Sequence, residues 1–330
     1  MTNAAFDVVG IGNAIVDVIS RTDEGFITAN NLVKGAMTLI DAARAEELYA
    51  RMPAGIEMSG GSAGNTMAGF AQLGGRGAYI GKVHDDQLGT VFRHDMRAMG
   101  VAFDTAPLTD GPSTARCLIV VTPDAQRTMN TYLGACVQLG PDDIDAGLIG
   151  SAKVTYMEGY LFDPPQAKAA FRKAAEIAHA NGREVSLTLS DSFCVHRHRA
   201  DFMDLIDTQV DILFANRDEI TAMFETDDLD TALAALRGRC KMAAVTLSEQ
   251  GSVVLAGGEI IRVPAEPVTK LVDTTGAGDL YAAGFLRGYT QGRSPADCAR
   301  LGSICAAEII SHVGARPEAN LQDLAAAKGL

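Results

Sequence analysis

The order of β-like and helical segments limits this fold more than any other feature. Runs rich in β-forming residues lie at 6–11, 154–158, 185–189, 210–214 and 243–247, and helix-patterned segments separate the later ones. The stretch 166–180 carries Ala169, Ala170, Ala174, Ile177 and Ala178 at helical spacing, and 228–236 is rich in Ala and Leu. Strands joined through helical crossovers pair in parallel and bury both faces of their sheet. An α/β sandwich is therefore expected, with a central, mostly parallel sheet and helices on both faces. The runs Ser252–Ala256 and Glu259–Val263 flank Gly257-Gly258, which predicts a hairpin and hence an antiparallel element at one edge.

Two regions, 15–40 and 101–132, break the rhythm. The runs 117–121 and 128–133 are strand-like, yet no helix follows either at the usual distance. Both regions are expected to form one small β-sheet projecting from a core made of 1–14, 41–100 and 133–330.

Composition narrows the partners. A hydrophobic content of 47% over 330 residues is ample for a large core. The longest apolar runs, such as 118–121, are far too short to span a bilayer. A net charge of −13 with no basic block argues against nucleic-acid or acidic-membrane binding. The six cysteines are scattered without a C-x-x-C pair, which fits free thiols in a reduced, cytoplasmic setting. His196 and His198 have no second ligand cluster at metal-binding spacing and read as a polar loop.

The chemistry concentrates in Asp273-Thr274-Thr275-Gly276-Ala277-Gly278-Asp279, just ahead of an apolar helical stretch. A helix start leaves N–H groups unpaired and attracts anions. Gly276 and Gly278, on either side of Ala277, let those groups crowd around a transferring phosphoryl group. Asp279, in the first turn, is then placed to take a proton from a substrate hydroxyl. The competing reading is a glycine turn with a capping aspartate.

Four further segments are candidates. Gly60-Gly61-Ser62-Ala63-Gly64-Asn65 precedes a helix, lets backbone pass close to a ligand, and offers the Asn65 amide to a sugar-like hydroxyl; it reads equally as a capped loop-to-helix junction. Asn13 and Asp17 follow the first strand, at the edge where α/β sheets bind ligands. Ile15 stands where a dinucleotide fingerprint needs a third small residue, so that motif fails. Gly81-Lys82 lacks the remainder of a phosphate-binding P-loop: Arg76 and Val83 replace the required glycine and hydroxyl residue. Asn216-Arg217-Asp218-Glu219 is either a helix capping box or a site where Glu219 positions a magnesium-bound water. Thr246, Ser248 and Gly251 form a polar edge suited to a nucleotide.

The order of these motifs resembles the ribokinase-like (pfkB carbohydrate kinase) family over nearly the whole chain. The resemblance implies a Rossmann-like α/β domain with a small β-sheet lid, and transfer of the γ-phosphoryl group of ATP, with Mg2+, to a substrate hydroxyl. It implies Asp279 as catalytic base, with Gly276, Ala277 and Gly278 as its anion hole and Arg127 as an arginine closing over the phosphates. Asn216, Thr246, Ser248 and Gly251 fall on the nucleotide side, with Glu219 acting on magnesium through water. Asn13, Asp17, Gly60, Gly61, Ser62 and Asn65 fall in the acceptor pocket. Asp273 and Thr275 occupy positions that hold a monovalent cation, possible K+, in some members.

The stretches 34–39, 127–136 and 312–317 point within the family to the branch that phosphorylates the adenosine 5′-hydroxyl. Met37, Leu39, Cys117, Met129 and Tyr160 would then form an apolar slot for the purine, or else pack the lid's own core. A free sugar acceptor (ribose, fructose or a keto-deoxy sugar) and a non-catalytic nucleotide or sugar sensor are the alternatives. The partner expected is a small molecule, and the chain is expected to be a monomer or a homodimer.

Overall fold

The computed structural model describes residues 4–124 and 126–330. In chain order its strands begin with β1 (Phe6–Ile11), β2 (Ile15–Arg21), β3 (Met37–Leu39), β4 (Ile56–Ser59), β5 (Gly77–Ile80), β6 (Val101–Ala102) and β7 (Ala115–Val121). They continue with β8 (Arg127–Tyr132), β9 (Ala152–Glu158), β10 (Glu184–Thr188), β11 (Ile212–Asn216), β12 (Met242–Thr246), β13 (Ser252–Ala256) and β14 (Glu259–Val263).

Nine of these strands form one sheet in the order β14-β13-β12-β11-β10-β9-β1-β5-β6. All of its pairings are parallel except the two made by β13, the expected hairpin at the edge. The central strands are buried on both faces, as their near-continuous apolar sequences require. Alternate residues feed two separate cores: Val9 and Ile11 face one layer of helices, and Val8 faces the other. The α/β sandwich read from the sequence is the architecture found.

The remaining five strands form the second sheet, in the order β3-β8-β7-β2-β4. The sequence boundaries need correction here. Segment 41–100 was expected in the core, but Ile56–Ser59 pairs antiparallel with β2 as an edge strand of the small sheet. Val101 and Ala102 pair with β5 in the large sheet rather than joining the small one. Both strands are very short, so their own residues carry little pattern, and an available neighbouring edge decides where they go.

The two faces of the small sheet differ. Val18 and Leu118 pack against Leu48 of the helix Ala42–Arg51, which covers one face. Pairing register puts Asp17, Cys117, Thr131 and Leu39 in one row of the opposite face, and Ile19, Ile119, Met129 and Met37 in the next. That second face is apolar in its middle rows, apart from Asp17 and the hydroxyl of Thr131, and carries Arg21 and Arg127 in the row beyond Ile19 and Met129. Among the described residues, no helix is long and apolar enough to cross a membrane.

Candidate active site

The carboxyl ends of β1, β9, β11 and β12 open on the same edge of the large sheet. A strand rich in buried apolar residues must end where its backbone leaves the sheet, and polar side chains gather there. Asn13 follows β1, Glu158 ends β9, and Asn216 and Thr246 end β11 and β12. The helix Ala277–Thr290 points its N-terminus at this edge, with Gly276 as its cap in the left-handed region (φ 79°). A Cβ at Gly276 would press on Ala315, 3.1 Å away, so both conformation and space favour glycine.

Asp279 sits in the first turn of that helix and accepts from Ser62 Oγ at 2.6 Å and from Asn65 Nδ2 at 3.0 Å. These donors come from the helix Ser62–Gln72, more than 200 residues earlier. Burial pushes the Asp279 carboxyl up to about 6, while the two hydrogen bonds and the charge of Arg316 pull it back down. A carboxylate so poised is ionised at neutral pH and still basic enough to accept a proton.

The anion cradle is only partly as expected. Leu280 N–H makes a helical bond to Gly276 O at 2.9 Å, so the amides of Gly278 and Asp279 precede the regular ladder. Ala277 N–H instead donates to Thr274 O at 3.2 Å and closes the turn. A Cβ built at Gly278 would meet nothing within 4 Å, so the space beside that residue is open. The helix dipole favours an anion at this end.

The residues expected on the acceptor side come together around Asp279. Asn13 is 2% exposed and donates its amide nitrogen to Glu158 Oε1 at 2.8 Å, while Glu158 Oε2 accepts from Ala63 N at 2.8 Å. Burial pushes the Glu158 carboxyl up to about 7, against the pull of these hydrogen bonds. The oxygens Asn13 Oδ1 and Asn65 Oδ1 are both buried without a hydrogen-bond partner. Asp17 is likewise pushed up to about 6 by burial, with Arg127 and Arg316 opposing and Asp279 adding to the rise. Gly60 is glycine because a Cβ there would lie 2.5 Å from the Asp17 carboxylate. Gly61, at φ 81°, passes the Asn13 carbonyl so closely that a side chain has no room.

Sequence reasoning missed two residues of this cluster. Glu158 was visible only as the last residue of the apolar run 154–158, where a charge ending a doubly buried strand was the available signal. Arg316 donates to Gly64 O at 2.9 Å, to Ser59 O at 2.6 Å and to Ser59 Oγ at 3.0 Å. Its guanidinium acts electrostatically on both Asp17 and Asp279 and offsets two carboxylates that share one pocket. Nothing near residue 316 in the sequence announces a partner some 250 positions earlier.

The apolar candidates divide by element. Met37, Leu39, Cys117 and Met129 lie on the Asp17 face of the small sheet, and Met37 and Leu39 are 48% and 55% exposed. Tyr160 comes from the turn after β9 and is also exposed. A cavity of about 360 Å³ opens beside Leu39 and Thr131, lined also by Ile40, Pro112, Leu133 and Val137. Cys117 takes a hydrogen bond from Thr131 Oγ1 at 3.2 Å, and burial pushes its thiol up to about 12, so it serves as an apolar surface rather than a nucleophile. A second cavity, of about 450 Å³, lies at the opposite end of β12, between Leu236, Lys241 and Gly257.

Of the residues expected on the nucleotide side, Asn216 and Glu219 are turned to each other. Asn216 Oδ1 accepts from Glu219 N at 2.9 Å, while Glu219 accepts from Asn216 N at 2.9 Å and from Asn216 Nδ2 at 2.6 Å. This is a complete capping box, and it holds Glu219 buried, with its carboxyl pushed up to about 7 by burial and by Asp191, Asp218 and Asp279. Ser248 adopts φ 53°, uncommon for a residue with a side chain, in the tight turn where Leu247 N donates to Gly251 O at 2.7 Å. Gly251, at φ 89°, leaves no space for a Cβ beside Val263 O.

Arg127 and Asp273 pair across the site, Nη1 to Oδ2 at 2.6 Å, and so tie β8 of the small sheet to the loop before Gly276. Asp273 also accepts from Thr275 N at 3.0 Å, Thr275 Oγ1 at 2.7 Å and Gly314 N at 3.1 Å. Both of its oxygens are thus engaged with protein donors. Asp273 and Thr275, where a monovalent cation is expected, bond to each other, and Asp273 also to Arg127. Among the described residues, no group of three or more His, Cys, Asp and Glu side chains is arranged to hold a metal ion.

With this geometry in view, known proteins give a consistent picture. The sequence profile described as pfkB family carbohydrate kinase matches residues 28–321. The crystal structure of adenosine kinase from Sinorhizobium meliloti is 58% identical, covers 99% of this chain and 100% of its own, and superposes with a TM-score of 0.91. A probable sugar kinase protein from Rhizobium etli is 55% identical, covers 99% of each chain, and gives the same TM-score of 0.91. An adenosine kinase of Saccharomyces cerevisiae is 27% identical over 330 residues, 93% of this chain and 95% of its own.

Proposed function

This chain belongs to the pfkB family of carbohydrate kinases, and on that premise we propose that it phosphorylates adenosine at the 5′-hydroxyl, with Asp279 as the base. It is an ATP-dependent phosphotransferase with an alcohol as acceptor. The observation that carries the reading is the contact of Asp279 with both Ser62 and Asn65, which sets a base beside an open helix N-terminus. The 5′-hydroxyl would lie between Asp279 and the γ-phosphorus. As the new P–O bond forms and the bond to the β-phosphate oxygen breaks, the hydroxyl proton passes to Asp279, leaving AMP and ADP.

The chain's own groups assist this step. Gly278 and Asp279 amides face the developing negative charge, and the helix dipole favours it there. Asn13, Asn65 and Asp17 offer oxygen acceptors to the ribose hydroxyls. The apolar face carrying Met37, Leu39, Cys117 and Met129, together with Tyr160, would take the purine. Asn216, Thr246, Ser248 and Gly251 would line the ATP side.

The acidic surroundings of Glu219 suit a cation that comes with the phosphates, and its carboxylate keeps lone pairs for metal-bound water beyond those used by Asn216. Magnesium supplied there would neutralise phosphate charge. Arg127 would leave Asp273 to meet the phosphates.

The likeness to a probable sugar kinase at 55% identity keeps a free sugar as the second reading. An ATP-consumption screen across adenosine, other nucleosides, ribose, fructose and keto-deoxy sugars separates them. Turnover is expected with adenosine; turnover with a free sugar alone would replace the first reading by the second.

A further inference from the structure

The two asparagines of the acceptor pocket share one arrangement. Each spends its amide nitrogen on a carboxylate, Asn13 on Glu158 and Asn65 on Asp279, and each is left with a buried oxygen that has no partner. An asparagine amide has a donor end and an acceptor end of nearly the same shape, so its neighbours decide which end faces a ligand. An ionised carboxylate accepts only, and therefore turns the nitrogen toward itself and the oxygen away.

For Asn65 the partner is the base itself. For Asn13 it is Glu158, which is 1% exposed and accepts from the amide nitrogen at 2.8 Å. Glu158 is fixed from two more sides: Ala63 N–H donates to its other oxygen at 2.8 Å, and Gly12 carries no Cβ because one there would run into the carboxylate. The Ala63 amide, in the first turn of the helix Ser62–Gln72, accounts for one carboxylate oxygen, and the other is spent on Asn13.

We propose that Glu158 is a positioning residue: it locks the Asn13 amide with its oxygen toward the pocket, and so makes that point of the site selective for a substrate hydroxyl. The inference rests on the reading of Asn13 as an acceptor-pocket residue. The ligand chemistry is a polyol or ribose hydroxyl, which donates a hydrogen bond to Asn13 Oδ1. A buried oxygen left unpaired is a strong penalty against an analogue that lacks the hydroxyl. With glutamine at 158, one side-chain oxygen cannot serve both Asn13 and Ala63 as the carboxylate does, and its NH2 needs an acceptor. The Asn13 amide supplies one by turning over, and then presents its NH2 to the substrate.

The test is steady-state kinetics at pH 8, above the value of about 7 to which burial lifts Glu158. The substrates are the acceptor found to be turned over best and its single hydroxyl-deleted analogues. In the unmodified enzyme, one analogue should show a KM at least about tenfold above the parent. Glu158→Gln should raise the parent's KM to about that of the analogue, leave the analogue's KM unchanged, and leave kcat within about threefold. Asn13→Ala should erase the same discrimination, and adding Glu158→Gln to it should change nothing more. Equal losses for parent and analogues in Glu158→Gln, or discrimination left intact, would overturn the proposal.

A neutron structure of the unmodified enzyme with its acceptor bound tests it without any variant. The Asn13 deuterons must point at Glu158 and the substrate hydroxyl must lie on Oδ1; the reverse orientation overturns it. Absence of turnover with every acceptor would sink the kinase reading, whereas turnover without hydroxyl discrimination at Asn13 would sink only this one.

Discussion

The proposed acceptor side and the proposed nucleotide side of the cleft are built on different plans. On the acceptor side, contacts join residues far apart in the chain: Ser62 and Asn65 to Asp279, Asn13 to Glu158, Arg316 to Ser59 and Gly64. On the nucleotide side they are local, within the capping box of Asn216 and Glu219 and the turn from Leu247 to Gly251. The acceptor side leaves two buried amide oxygens without partners, while the side chains of Asn216 and Glu219 satisfy each other. Unpaired buried oxygens cost free energy, about 1–3 kcal/mol each, and a ligand that donates to them recovers it. The acceptor side is thus organised for a particular ligand before it arrives. The nucleotide side is an ordinary set of strand ends and caps that phosphates can share.

The sharpest way to break this contrast is at Asp279, where the two sides meet. Asp279→Asn keeps the shape and removes the proton acceptor, so turnover should fall by about 10²–10⁴-fold while ATP binding survives. A variant within about tenfold of the unmodified enzyme would place the base elsewhere.

A pH profile sharpens the same point. Catalysis needs Asp279 ionised, and burial lifts its carboxyl to about 6, so kcat should rise as pH increases through about 6 and level off above it, whereas kcat/KM also carries the ionisation of Glu158 near 7. Below that point the loss should be about tenfold per pH unit for a single group. Arg316 pulls the Asp279 value down, so Arg316→Met should move this acid limb to higher pH. A limb that stays in place would show that Arg316 serves the Ser59 and Gly64 carbonyls alone.

The smallest effect is expected on the self-satisfied nucleotide side. Glu219→Gln should raise the magnesium needed for half-maximal rate, by about tenfold if a water-mediated contact is lost. An unchanged magnesium titration, with lower thermal stability, would leave Glu219 as the capping residue its contacts describe.

The same contrast explains what could be read from the sequence. The large sheet was legible because each strand and helix carries its own period, and the Gly60 and Asp273 segments because glycines and polar residues cluster locally. The capping box of Asn216 and Glu219 was legible for the same reason. Glu158 and Arg316 were not: each acts through a contact that exists only after distant segments meet. Ile56–Ser59 was misplaced because four residues specify a strand but not the sheet that accepts it. The Arg127–Asp273 pair joins two residues 146 positions apart, and no local pattern in the sequence announces it.

The claim that most needs testing is that the acceptor side is shaped for a nucleoside. Calorimetric binding of adenosine and of ribose to the same protein measures it directly. Covering on the order of 100 Å² of purine with Met37, Leu39, Cys117 and Met129 would contribute a few kcal/mol before ordering costs, at roughly 25 cal/mol per Å². Each ~1.4 kcal/mol retained is a tenfold gain in affinity, so adenosine should bind at least about tenfold tighter than ribose. Ribose binding as tightly as adenosine would contradict the account and assign the pocket to a sugar.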